Sequence, residues 1–387
     1  MKVLLILNRP DERDSGTLAL DICRNAARFG IDVAVAAFEA GELEQEFEIH
    51  ASAFYRLESE STLDLNSAYR LRNVIRDREI RVVHAFGIAE AFLARVATVG
   101  GRKVKRVLHL QDLHFDRPAV SDRFGLRSAA RISDAVLLPS RAAFPLIREA
   151  GINTRKNFYY VSPGTDRRRL TSQGRSLRQE LRLTDQHILI GMKAPFDETS
   201  GTDQITVCRA LPKVMERNGS VRFVFAGPVL NDGEFLLEDC AEFCDDAGIG
   251  DRVFFVTDRA DSERAIASMD LFVYSAVNGA VPLSVAEAMI LGIPSVVSDT
   301  DFHAEITDGG KRAEIFMRGD EEELANKLLS LIKSRKLREK RGKEAKEFAE
   351  ANYSIDQMMM SLKTLYAELL FDPVEQESDG NPNRMFR

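Results

Sequence analysis

At 387 residues the chain is longer than one hydrophobic core usually serves, so two domains are expected. With 44% apolar and 29% charged residues it has an ordinary globular composition, and no apolar run is long enough to span a bilayer. Cys23, Cys208, Cys240 and Cys244 lack CxxC spacing, which argues against a disulfide framework or a zinc site. Cys240 and Cys244 share one face of an expected helix and read as core. The first residues, MKVLLILNRPDERD, carry too short an apolar run for a signal peptide, so a cytoplasmic protein is expected. The net charge is −7, yet residues 101–182 hold 18 Lys and Arg against 7 Asp and Glu. That asymmetry suits either solvated helix faces or a surface that meets an anionic membrane; no nucleic-acid partner is expected.

In chain order, residues 2–8 read as a buried strand, and a loop over 9–15 leads into Gly16. An amphipathic helix over 17–29 closes at Gly30, and 31–37 is the next strand. This is a βαβ opening of Rossmann type without a GxGxxG run. Helices over 68–78 and 88–99 flank a strand at 82–85. A short strand at 107–110 runs into Gln111, and alternation puts His109 and Gln111 on the same side. A strand at 132–139 is followed by Ser140 as a helix cap, and a strand at 158–162 precedes Pro163-Gly164-Thr165-Asp166 and three arginines, Arg167 to Arg169. Residues 165–186 are the expected linker.

The second half repeats the rhythm. A strand at 187–192, a loop at 193–201 and a helix at 203–217 are followed by strands at 221–226 and 253–256 and helices at 234–247 and 262–268. Helices at 321–332, 337–349 and 354–370 close the chain, and the polar tail 372–387 is expected to be disordered. Between them, residues 270–299 read as strand, Gly- and Pro-punctuated loop, helix and strand. Where that loop meets the helix, free backbone N–H groups and the helix dipole favour an anion such as a diphosphate. Glu287, one turn in, can accept from ribose hydroxyls; the alternative is a solvated helix carboxylate.

The 270–299 segment resembles the donor-site segment of the retaining GT-B glycosyltransferases of family 4. The match covers Pro282-Leu283, Glu287-Ala288-Met289, Gly292, Pro294 and Val296-Val297. The resemblance implies an α/β protein of GT-B fold, with two Rossmann-like doubly wound domains facing across a cleft. The domains would be an acceptor domain at 1–165, with helix 354–370 packed back on it, and a donor domain at 186–353. It implies that Glu287 binds the ribose and that the amides of Leu283 and Ser284 face the diphosphate. The family's preceding Glu is replaced by Gly279 or, with one residue inserted, by Asn278.

Elsewhere Gly16 stands in for the family's donor-facing Gly-Gly, and Gln111 replaces its His. Gly191-Met192-Lys193 and Ser200 stand where the family has a Gly-Arg and a Lys. Lys193 is then the expected diphosphate cation. The implied activity is retaining transfer of a sugar from a nucleoside-diphosphate sugar to a glycan, glycolipid or lipid-linked acceptor in cell-envelope or polysaccharide synthesis, with no metal or cofactor and peripheral membrane association. The replaced donor-site residues leave open a catalytically impaired binding or partner subunit.

Overall fold

A computed structural model describes the whole chain except residues 12–13, 58–64, 102, 112–119, 155–156, 172–176, 198–199, 231–232, 259–264, 278–282 and 372–387. The chain forms two compact units, one of residues 1–164 with 355–387 and one of residues 165–354.

In the first unit, seven parallel strands take the order β3-β2-β1-β4-β5-β6-β7. They are β1 (Lys2–Leu7), β2 (Asp32–Ala37), β3 (Ala53–Arg56), β4 (Val82–Ala85), β5 (Lys105–His109), β6 (Ala135–Leu138) and β7 (Phe158–Tyr160). β1 is an unbroken apolar run, KVLLIL, because helices cover both faces of a parallel sheet. The crossovers carry α1 (Asp14–Ala26), α2 (Glu44–His50), α3 (Leu65–Asp77), α4 (Ile88–Thr98), α5 (Val120–Ile132) and α6 (Ala143–Glu149). Strand order reverses between β1 and β4, which is where such sheets open a crevice for ligands at the carboxyl ends of the strands.

The second unit begins with two short helices, α7 (Arg167–Leu170) and α8 (Leu177–Glu180). Its six parallel strands are β8 (Ile188–Lys193), β9 (Val221–Ala226), β10 (Val253–Val256), β11 (Leu271–Tyr274), β12 (Ser295–Ser298) and β13 (Glu314–Phe316), in the order β10-β9-β8-β11-β12-β13. The switch point lies between β8 and β11. The helices are α9 (Gln204–Arg217), α10 (Gly233–Asp246), α11 (Leu283–Leu291), α12 (Asp301–Ile306), α13 (Glu321–Ile332) and α14 (Arg335–Asn352). The last helix, α15 (Ile355–Leu370), belongs to the first unit. Its Ile355, Met358, Met359, Leu362, Leu365 and Tyr366 join the core formed by β1 and α1.

Several expectations are corrected. α1 starts at Asp14, so Gly16 lies inside its first turn rather than in a loop. The helix α2 and the edge strand β3 have no counterpart in the sequence reading; β3, AFYR, is only partly buried and has little apolar signal. α5 was also missed. Ser140 accepts from the Ala142 amide at 3.0 Å, but α6 begins beyond it with no side-chain cap, so Ser140 caps a turn. The residues expected to link the domains, 165–186, lie within the second unit. Cys208, Cys240 and Cys244 are buried free thiols in the second unit. Asn278, Gly279 and the tail lie outside the described residues.

The packing of α14 supports α11. A β-carbon at Gly342 of α14 would lie 2.0 Å from the carbonyl oxygen of Gly292, which closes α11. Gly342→Ala should therefore destabilise the protein by about 1 to 3 kcal/mol, as overpacking does. Helix propensity alone favours Ala by about 1 kcal/mol, so a gain in urea-unfolding stability would refute this close contact.

Candidate active site

Every described position of α11 from Leu283 to Ile290 is buried, as an almost wholly apolar helix requires. Glu287 lies within it at 1% exposure. A lone carboxylate there would cost several kcal/mol, and two cations offset that cost. Arg169 Nη2 donates to Glu287 Oε1 at 2.6 Å, and Lys193 Nζ donates to Oε2 at 2.8 Å. Burial raises the carboxyl pKa, but the charges and hydrogen bonds of Lys193 and Arg169 outweigh it and hold the group down at about 2. Both oxygens therefore already have partners, which the resemblance to a ribose-binding Glu did not anticipate.

Each cation is delivered by local structure. Lys193 is the last residue of β8, beside the switch point, and its side chain is 19% exposed. Arg169 is the third residue of α7. The Asp166 carboxylate caps that helix by accepting from the Arg168 amide at 3.0 Å, which turns Arg169 inward while Arg167 and Arg168 stay exposed. The sequence reading took the three arginines as one basic run. The missed cue was Asp166 as an N-cap, with Arg169 next to the apolar Leu170. Among the described residues the Glu287 carboxylate is thus held by two cations at the carboxyl end of the central strand.

The other expected donor residues fall in different settings. Leu283 and Ser284 open α11, where first-turn amides lack intrahelical acceptors. Gly191 is inside β8, where a β-carbon would meet Met269 Cε at 2.3 Å and Val224 Cγ1 at 2.8 Å, so it serves packing. Ser200 Oγ donates to the Asp197 carbonyl at 2.8 Å and pairs with Thr202 Oγ1 at 2.7 Å, which folds its own loop. The neighbouring loops are tied together: Asp203 caps α9 and its amide donates to the Ser275 carbonyl at 2.9 Å, while Ser298 Oγ bonds both amide and carbonyl of Ala276 at 3.0 Å. In the first unit the Asp11 carbonyl would lie 1.9 Å from a β-carbon on Gly16, so the missing side chain admits the chain's own loop.

Gln111 follows β5 in the first unit at 3% exposure, and neither its Oε1 nor its Nε2 has a partner among the described residues. In the same unit a connected aromatic chain runs from α15 to β4 and β5. Tyr366 Oη lies 2.5 Å from His84 Nδ1, and His84 Nε2 lies 3.2 Å from His109 Nδ1. Phe86 stacks on both imidazoles. Burial lowers the pKa of both histidines, His84 well below its ordinary range and His109 to about 3, and raises that of the Tyr366 phenol. His84 and Tyr366 were not singled out in the sequence, because a His inside the run VVHA reads as strand.

Two family models match. Glycosyltransferase Family 4 matches residues 15–169, and Glycosyl transferases group 1 matches residues 175–348. The chain belongs to the GT-B glycosyltransferases of group 1 and family 4. It is thus a glycosyltransferase. No curated protein sequence matches it. Solved structures share the fold of this glycosyltransferase at low identity. HepE of Anabaena in complex with UDP-glucose is 18% identical with a TM-score of 0.80 over 95% of this chain and 100% of its own. A glycosyltransferase of Rickettsia africae is 14% identical with a TM-score of 0.81 over 96% and 99%. WaaG, a glycosyltransferase involved in lipopolysaccharide biosynthesis, is 15% identical with a TM-score of 0.68 over 96% and 100%.

Glu287→Gln should cost about 3 to 5 kcal/mol in urea unfolding, because it leaves Arg169 and Lys193 without their counter-ion. The pH dependence has a definite sign. A carboxyl depressed from 4.5 to about 2 contributes stability that is full above pH 4.5 and is lost as pH falls towards 2. The wild type should therefore lose more stability than the variant across that window; parallel curves would refute the pairing.

Proposed function

We propose that the second unit binds a nucleoside-diphosphate sugar at the carboxyl ends of β8 and β11, and that Lys193 is the diphosphate cation. The observation that carries this reading is the Glu287 carboxylate holding two cations beside the switch point. As the bond from the sugar's anomeric carbon to the diphosphate oxygen breaks, negative charge grows on the leaving group. Lys193 and the first-turn amides of α11 stabilise that charge. The acceptor hydroxyl bonds to the same face of the carbon, so configuration is retained, and its proton passes to the released diphosphate. The proposal invokes no metal, since fixed cations and helix amides supply the positive charge. A complex of HepE with UDP-glucose supports a nucleotide-sugar donor.

A thermal-shift screen against UDP-, GDP-, ADP- and CDP-sugars should identify one donor by raised stability. With that donor, Lys193→Ala should lower kcat about 10² to 10³-fold and change nucleoside-diphosphate affinity much less, because the charge develops mainly in the transition state. Arg169 still neutralises Glu287 in this variant, so the fold is expected to hold. Unchanged turnover would remove Lys193 from the reaction.

The acceptor, in this proposal, is a glycan or lipid-linked sugar met at an anionic membrane in cell-envelope synthesis, a reading supported by the fold shared with WaaG. No described helix is long and apolar enough to cross a membrane. α5 instead presents exposed Arg123, Arg127 and Arg131 together with Phe124, which is 75% exposed. Arg106, in the same basic segment, pairs with Asp134 at 3.2 Å. Each arginine near an anionic surface is worth about 1 kcal/mol. Co-sedimentation with anionic liposomes should fall with salt and with Arg123→Ala/Arg127→Ala/Arg131→Ala; binding equal to that on neutral liposomes would exclude the surface.

A further inference from the structure

The first unit has a cavity of about 600 Å³ formed by the second half of α5, the turn after α6 and the start of β7. Phe158, in its wall, is the first residue of β7, and in a parallel sheet all the amino ends lie together. The cavity is therefore at the opposite end of the sheet from the crevice at the strands' carboxyl ends. Its volume falls within the range of small-molecule sites, roughly 300 to 1,000 Å³, and exceeds what one inorganic anion fills.

The charged groups that line it, among the described residues, are the guanidiniums of Arg127 and Arg131, one helical turn apart on one face of α5. Arg127 Nη2 donates to the Gly151 carbonyl, which fixes that guanidinium across the turn. Gly151 has φ +78°, and even there a β-carbon would lie 3.2 Å from Arg127 Nη2, so the position suits glycine twice over. Arg131 makes no hydrogen bond or ion pair with any described residue. The acidic neighbours in sequence, Asp134 and Glu149, do not line the cavity, and Asp134 is taken by Arg106 at 3.2 Å. Asn157 Nδ2 donates to the carbonyls of Ala130 and Ser133 at 2.9 and 3.0 Å. Those carbonyls belong to the negative end of the α5 dipole, and the amide covers them, which removes a repulsion that an anion would otherwise meet.

We propose that this cavity binds an organic phosphate, with Arg127 and Arg131 on the phosphate and the apolar walls Ile152 and Phe158 beside the remainder. Two guanidinium forks suit the several oxygens of a dianionic phosphomonoester better than a singly charged carboxylate. The phosphomonoester can belong to a soluble metabolite or to a lipid headgroup. The site is apart from the donor site, and it depends neither on the donor reading nor on general attraction of α5 to a membrane.

The test is calorimetry of the full chain in chloride buffer with inorganic phosphate and glycerol 3-phosphate. Vesicles containing phosphatidic acid are compared with phosphatidylglycerol vesicles of matched surface charge. Arg131→Gln removes no contact within the protein, so the fold is expected to hold, and it should weaken the bound probe about tenfold, the loss of a charge-assisted hydrogen bond. Arg123→Gln changes the same helix outside the cavity and should leave that probe unchanged. Glycerol 3-phosphate binding that follows this pattern assigns a soluble ligand. A preference for phosphatidic acid that Arg131→Gln alone abolishes assigns a lipid headgroup. Binding of neither probe, or equal losses in Arg123→Gln and Arg131→Gln, overturns the site; anionic liposomes bound in that case still support the membrane surface. Binding of glycerol 3-phosphate without any liposome binding removes the membrane surface and keeps this site.

Discussion

A single buried carboxylate sets the electrostatics of the second unit. Glu287 is on a helix with no solvated face, where its charge is tolerated only because Arg169 and Lys193 reach it from two other elements. The dependence is mutual. Arg169 is itself nearly buried and would carry an unpaired charge without the carboxylate, and Lys193 would be free to extend into solvent. The pair of bonds therefore joins the first turn after residue 165, the end of the central strand and the middle of α11 at one point.

Packing around that point leaves little freedom to relax. Gly191 lets Met269 and Val224 close over β8, and Gly342 lets α14 meet the turn at Gly292. The loops at the strand ends are tied to one another through Asp203, Ser275, Ala276 and Ser298. A cation held on a rigid strand end is preorganised, so little reorganisation opposes it when charge develops nearby. Lys193 combines that rigidity with partial exposure, which Arg169 lacks.

Much of the fold was legible because parallel strands buried on both faces are continuous apolar runs, and β1, β4, β9, β10 and β12 read that way directly. α2 and β3 were not legible, since an edge strand with half-exposed residues has neither a continuous nor an alternating pattern. Of the Glu287 cluster, the sequence singled out two members but not their pairing. Glu287 and Lys193 stood out by resemblance, but nothing in local sequence says that residues 94 apart form an ion pair. Arg169 was hidden in a run of identical residues that only the cap at Asp166 separates into exposed and buried. Gly16, Gly191 and Ser200 show the converse: each fits a ligand-facing role by position, and the structure uses each for packing or for its own loop.

The two units differ in the kind of polar group they bury at the carboxyl ends of their central strands. The second carries an ionic cluster in which one carboxylate holds two cations. The first carries a neutral chain of phenol and two imidazoles, followed by an amide. Burial acts on the two sets in opposite ways. It cannot neutralise Glu287, because two cations stand against it, whereas it does neutralise His84 and His109, because nothing anionic is bonded to them among the described residues.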